Sequence, residues 1–168
     1  QPLLKIAGDI DFTNDHQAVI SSSEPQAVTL VSFLAHPNKT PYTLQRYSGV
    51  FLKADQGILW IYQEKEKQLL GVDMQKQSIV YRLEGIQNYP ELIQQAAGKL
   101  WISDAQGTLH SINLKQRNAQ ERWYFFPTAF LKAGPQQDLF AQGNIAEYMH
   151  WVKDGQVETL DSLAHHTP

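Results

Sequence analysis

This sequence predicts an all-β fold assembled from about four copies of a four-stranded unit, and three observations predict it. A β-hairpin signature is written clearly at 98–114, and a closely related stretch stands 41 residues before it. Turn-forming clusters punctuate the whole chain at short intervals, leaving room for strands and for one short candidate helix.

The hairpin reads GKLWISDAQGTLHSINL. Leu100 and Ile102 alternate with Trp101 and Ser103, Asp104-Ala105-Gln106-Gly107 turns, and Thr108, His110 and Ile112 alternate with Leu109 and Ser111. Alternation sends successive side chains to opposite faces of a sheet, and the glycine supplies the positive φ that a tight turn needs.

The repeat is carried by FLKADQGILW (51–60) over LIQQAAGKLW (92–101), ten residues without a gap. Gly57-Ile58-Leu59-Trp60-Ile61 stands over Gly98-Lys99-Leu100-Trp101-Ile102. A later copy repeats Phe-Leu-Lys-Ala at 130–133 and puts Phe140 in the tryptophan's place, 39 residues beyond Trp101. An earlier one keeps Leu4-Lys5 and Gly8 and puts Phe12 there, 48 residues before Trp60. Four copies in 168 residues leave each about 42, the content of four short strands. Such a sheet has two apolar faces and cannot bury both alone, so units stack radially as blades. The expected architecture is therefore a β-propeller-like array of about four four-stranded blades, 3–48, 49–88, 89–127 and 128–163, in one domain spanning 1–168. It closes as a small ring, or as a half-ring completed by a dimer. Phe12, Trp60, Trp101 and Phe140 are the expected wedge aromatics between blades.

In chain order, 3–12 is apolar with alternation at Ile10 and Phe12, Asn14-Asp15-His16 turns, and Gln17 to Ile20 is a short return strand. Ser21-Ser22-Ser23-Glu24-Pro25 reads as a loop, and Ala27 to Ala35 as a buried strand. Two prolines in His36-Pro37-Asn38-Lys39-Thr40-Pro41 break any ladder before Tyr42 to Tyr47 alternates again. Strands at 68–73 and 78–83 follow the charged turn Glu64 to Lys67. Tyr89 to Gly98 carries proline near its start and glycine at its end, which suits a short helix; the repeat register assigns it a strand from Leu92 instead. Trp123-Tyr124-Phe125-Phe126-Pro127 reads as a strand buried on both faces, with a partner-binding patch as the alternative. Strands at 145–152 and 156–160 close the chain before a frayed tail.

Composition bounds the function. The chain has 14 basic and 17 acidic residues, a net charge of −3, which disfavours nucleic-acid binding through this segment. It has no cysteine, which excludes disulfides, thiolate metal sites and cysteine nucleophiles and points to a bacterial or cytosolic origin. No apolar run is long enough to span a bilayer. A start at Gln1 reads as a processed or excised segment.

The pattern G-x-L-W-I-S-D-x-x-G-x-L-x-x-I-N, Gly98 to Asn113, resembles the PQQ-like propeller repeat and is similar to the propeller repeat of bacterial sensor kinases. The resemblance covers Gly98 to Trp123 well and Gly57 to Leu83 less closely. It implies a bacterial, commonly extracytoplasmic and often non-enzymatic domain. The metal-binding and quinone-stacking residues of quinone-dependent dehydrogenases of this fold have no counterpart that can be placed here.

No chemical motif rises above the background of a folded sheet. Asp9-Ile10-Asp11 and Asn14-Asp15 invite calcium, but Thr13 and Asn14 break the EF-hand pattern and no glutamate closes the loop. His16, His36, His110, His150, His165 and His166 show no metal-ligand spacing. Ser21 to Ser23 lie outside any nucleophile motif, and Asn38-Lys39-Thr40 is a glycosylation sequon without use in a bacterium. Glu91, Glu121, Asp138 and Glu147 are the carboxylates available to a glycan-processing enzyme. No catalytic residue, metal set or cofactor is assigned, and binding residues are not identifiable from the sequence. The expected function is a non-enzymatic interaction or sensory domain of a membrane-anchored transcriptional regulator, periplasmic or otherwise extracytoplasmic with the cytoplasm as the alternative, binding a protein partner or small-molecule signal. A periplasmic scaffold or assembly lipoprotein of PQQ-repeat type and a glycan-processing propeller enzyme are the alternatives.

Overall fold

Gln56-Gly57 and Ala97-Gly98 set the hairpins of the two matched copies. All four residues have positive φ, 49° and 78° in the first turn, 51° and 70° in the second. Two consecutive left-handed residues make the turn whose twist matches that of paired strands, and glycine occupies its second place without strain. The computed structural model that shows them describes residues 9–14, 17–32, 43–104, 106–116, 120–124, 128–136, 138–143, 149–153 and 156–160.

Among the described residues sixteen strands form four antiparallel sheets of four, each a simple meander. The first sheet is β1 (Asp9–Asn14), β2 (Gln17–Ser23), β3 (Gln26–Ser32) and β4 (Thr43–Ser48). The second is β5 (Val50–Asp55), β6 (Ile58–Gln63), β7 (Gln68–Asp73) and β8 (Ser78–Glu84). The third is β9 (Pro90–Ala96), β10 (Lys99–Asp104), β11 (Thr108–Asn113) and β12 (Gln120–Tyr124). The fourth is β13 (Thr128–Ala133), β14 (Leu139–Gly143), β15 (Met149–Lys153) and β16 (Gln156–Leu160). No helix occurs among the described residues, so none there is long and apolar enough to cross a membrane. Residues 90–96 are a strand, as the repeat register requires, because pairing with β10 satisfies backbone groups that a short isolated helix would leave open. The all-β array of four-stranded blades is borne out.

The chain divides into two compact units, Gln1–Ile86 and Gln87–Pro168. In the first, Val19, Val28 and Leu30 of the first sheet pack against Leu59, Ile61, Leu70 and Val72 of the second. Tyr47, Phe51, Ala54 and Ile79 flank that core. An amide clip borders it: Gln17 Nε2 donates to the Met74 carbonyl at 2.6 Å and to Ser32 Oγ at 3.2 Å, and Gln77 Nε2 donates to Ser32 Oγ at 2.7 Å. On the other face of the second sheet, Trp60 stacks on Tyr81 with ring centroids 5.6 Å apart. Gly71 lies between them in register, where a Cβ would come within 2.9 Å of either ring. In the second unit, Ala96, Trp101 and Leu109 of the third sheet pack against Leu131, Leu139, Ala141 and Val152 of the fourth. The copies also close alike: the Met74 N–H donates to the Gly57 carbonyl and the Leu114 N–H to the Gly98 carbonyl, each at 3.0 Å.

Two sequence expectations are corrected. Ser21 to Ser23 are not loop: they finish β2, paired with Gln26 to Val28, and only Glu24-Pro25 turns. Three serines satisfy a ladder through their backbone as well as any residue does, whatever their composition suggests. Phe12 is not the counterpart of the other aromatics. It lies in the first strand of its sheet, whereas Trp60, Trp101 and Phe140 lie in second strands. The motif alignment that grouped Phe12 with the other three therefore matched composition across a shifted strand, and the Phe12 side chain lies outside the described residues.

Candidate functional site

At one end of the third sheet, the β10–β11 turn builds a buried carboxylate centre. Asp104 is 1% exposed. Its Oδ1 accepts the backbone N–H groups of Gln106 and Thr108, both at 3.0 Å. Its Oδ2 accepts the Asn88 side-chain amide at 2.8 Å and faces His110 Nε2 at 3.5 Å. Asn88 also reaches Gln106 Oε1 at 3.4 Å. Burial alone would raise the pKa of Asp104, but the donors from Asn88, Thr108, Gln106 and His110 outweigh it and hold the carboxyl below its ordinary value. The centre therefore keeps a negative charge at neutral pH and fixes the turn. Tyr89, 47% exposed, stands beside it in the segment leading into β9.

An exposed relative of this device occurs at the β7–β8 turn. There Asp73 Oδ1 accepts the Lys76 N–H at 2.9 Å and its Oδ2 meets Lys76 Nζ at 3.5 Å. The same backbone donor leads in holding Asp73 below its ordinary value.

The fourth sheet carries a second candidate surface. Its back, with Leu131, Ala133, Leu139, Ala141 and Val152, packs within the second unit. Pairing of Phe130 with Gln142 and of Gln142 with Met149 puts these three in one row on the front. Lys132, Phe140 and Trp151 form the adjacent row. Phe130 is 42% exposed and Met149 36%, and Phe140 and Trp151 are half-buried. The Trp151 indole donates to Asp138 Oδ2 at 2.5 Å, which anchors the ring at the hairpin end of the sheet.

Of the residues singled out in the sequence, Asp9 and Asp11 are exposed along edge strand β1, and Glu91 is exposed on β9. Asp138 is committed to Trp151, His110 to Asp104, and His150 sits half-buried in β15. Asp15, His16, His36, the 38–40 sequon, Phe125 to Pro127, Glu147, His165 and His166 lie outside the described residues, as do the side chains of Asn14, Glu121 and Trp123. Among the described residues no group of three or more His, Asp or Glu side chains could hold a metal ion. Asn88 and the Phe130 row were not found from the sequence. The signal for Asp104 was present as an aspartate three residues before glycine in a hairpin; the signal for Phe130 was its parity with Lys132 rather than with Leu131.

No family description and no curated protein matches this sequence. Solved structures do match its fold. Streptogramin B lyase is 10% identical with a TM-score of 0.64, aligning 96% of this chain to 58% of its own. Virginiamycin B lyase from Staphylococcus aureus is 10% identical, TM-score 0.62, with 90% and 54% covered. BamB from Moraxella catarrhalis is 10% identical, TM-score 0.60, with 94% and 51% covered. The chain spans about half the length of these structures. At this identity the likeness defines a class by fold: a β-propeller-type array of blades. The resemblance to PQQ-like propeller repeats holds at that level.

Proposed function

We propose that this chain is a non-enzymatic β-propeller interaction module, working outside the cytoplasm as the sensory or partner-binding part of a membrane-anchored bacterial transcriptional regulator. The observation that carries the reading is the front of the fourth sheet, where Phe130 and Met149 expose large apolar side chains beside Phe140 and Trp151. Exposed aromatic and methionine side chains in one patch are the composition of a protein contact surface. The Asp104 centre serves the same reading as a rigid support for the exposed Tyr89 segment.

The test places a photo-crosslinking residue at position 130 of the full-length protein in its own cells. A protein adduct at that position supports the module; its absence, with the protein present and folded, overturns it. An alkaline phosphatase fusion after the fourth sheet tests the compartment, since the reporter is active only outside the cytoplasm. An inactive fusion at normal abundance removes the extracytoplasmic reading.

A further inference from the structure

We infer that a protein partner meets the front of the fourth sheet with a carboxylate side chain, seated on Lys132 and flanked by apolar side chains. The inference rests on the interaction reading above and names the chemistry that this surface takes. It comes from what the front displays besides its apolar side chains. Lys132 is exposed, stands two residues along β13 from Phe130 and is paired with Phe140 on β14. Three exposed side chains, Phe130, Lys132 and Met149, therefore share one face, beside half-buried Phe140 and Trp151.

Among the described residues no carboxylate answers this cation. Asp138, on the same face, accepts the Trp151 indole N–H through Oδ2, and its Oδ1 is buried. Glu158, which pairs with Trp151, lies three strands from Lys132, roughly 14 Å at the spacing of paired strands. A charge covered by a partner loses its water, and only an opposite charge on that partner offsets the loss. The number of charges sets the class of partner. Nucleic acids and anionic lipid surfaces are held by clusters of cations, whereas this chain has a net charge of −3 and one exposed lysine described on this face. A lone lysine among apolar side chains suits one aspartate or glutamate. Residues two apart on a strand are about 7 Å from each other, so the carboxylate sits about that far from the apolar side chain that covers Phe130.

The test combines the photo-crosslinking residue at position 130 of the full-length protein, in its own cells, with substitutions at position 132. Neutralising an exposed ion pair changes binding only a few-fold, whereas opposed like charges cost far more, so the decisive change is a reversal. Lys132→Glu should lower the adduct yield at least about tenfold at unchanged abundance, and Lys132→Arg should keep it. Lys115→Glu, on the exposed β11–β12 turn, should leave it where it was. The peptide crosslinked to the parent should carry Asp or Glu within about four residues of the attachment point, the reach of one helical turn or a short strand. Changing that residue to Lys should restore the adduct with Lys132→Glu. Should Lys132→Glu fail to fold, the peptide from the parent carries the test. A yield that Lys132→Glu leaves unchanged, or a peptide without such a carboxylate, overturns the acidic contact and leaves the interaction reading standing. An adduct with lipid or nucleic acid alone in the parent, or no adduct, removes both.

Discussion

The two blade-to-blade cores solve one problem with different chemistry. Between the first and second sheets the core is aliphatic, Val19, Val28 and Leu30 against Leu59, Ile61, Leu70 and Val72, and its border is fixed by the Gln17, Ser32 and Gln77 clip. Between the third and fourth sheets one large aromatic, Trp101, fills the space against Leu131, Leu139, Ala141 and Val152. Aliphatic faces can slide by a rung, so polar contacts that fit at one setting fix the register. A tryptophan fixes its setting by shape, since its volume fits one hollow. On the second sheet Trp60 lies on the face away from the aliphatic core, the face that Trp101 takes in the third, and stacks on Tyr81 over the space left by Gly71.

The largest expected effect breaks the aromatic core. Trp101→Ala removes its central side chain and should destabilise the second unit by about 3–5 kcal/mol, the range for aromatic truncation. Hydrogen exchange will read this as lost protection in 90–104 and 128–143, with protection at 58–73 retained. Equal loss in both regions would show that the two cores do not differ as described.

Next comes the buried carboxylate. Asp104→Ala leaves the Gln106 and Thr108 N–H groups and the Asn88 amide without their acceptor and should cost about 2 kcal/mol in chemical denaturation. Because folding holds the Asp104 carboxyl below its unfolded value, its contribution is fully present above the unfolded value, about 3.9. It fades as pH falls through the lower folded value, where the folded state must also take up the proton. Asp104→Asn should remove that part of the acid dependence; a melting profile between pH 2 and 5 with the same slope as the parent would contradict the assignment.

The smallest effect concerns the amide clip. Gln17→Ala removes the donor to Met74 and Ser32 and should cost about 1 kcal/mol, the net value of a typical hydrogen bond. A loss as large as that of Trp101→Ala would mean that the clip, rather than the aliphatic contact, holds the first two sheets together.

Most of the strand plan was legible because it is local. The 41-residue match of 51–60 with 92–101 places both hairpins, and their turns repeat the same pair of positive φ values. The conflict at 90–97, strand or helix, could be decided from the repeat because its pairing partner, the strand that begins at Lys99, was already visible. Ser21 to Ser23 failed as a loop since side-chain composition says little about a backbone that a neighbouring strand is ready to pair. Phe-Leu-Lys-Ala occurs at 51–54 and 130–133, yet the two phenylalanines part company. A register shift between Phe51 and Lys53 puts Phe51 against the aliphatic core, while Phe130 faces out on the side of Lys132. An irregularity of one residue reverses a strand's faces, and no pattern within the four residues announces it.

By itself the sequence determined the class, the repeat and the hairpins, because alternation and turn chemistry are written within a dozen residues. Only the tertiary structure decided which face of each sheet is covered. That choice settled Asp104 into a cage of donors from Asn88 through His110 and left Phe130 and Met149 on an open face. Burial depends on what a sheet meets, and that partner is a distant stretch of chain which local pattern does not specify.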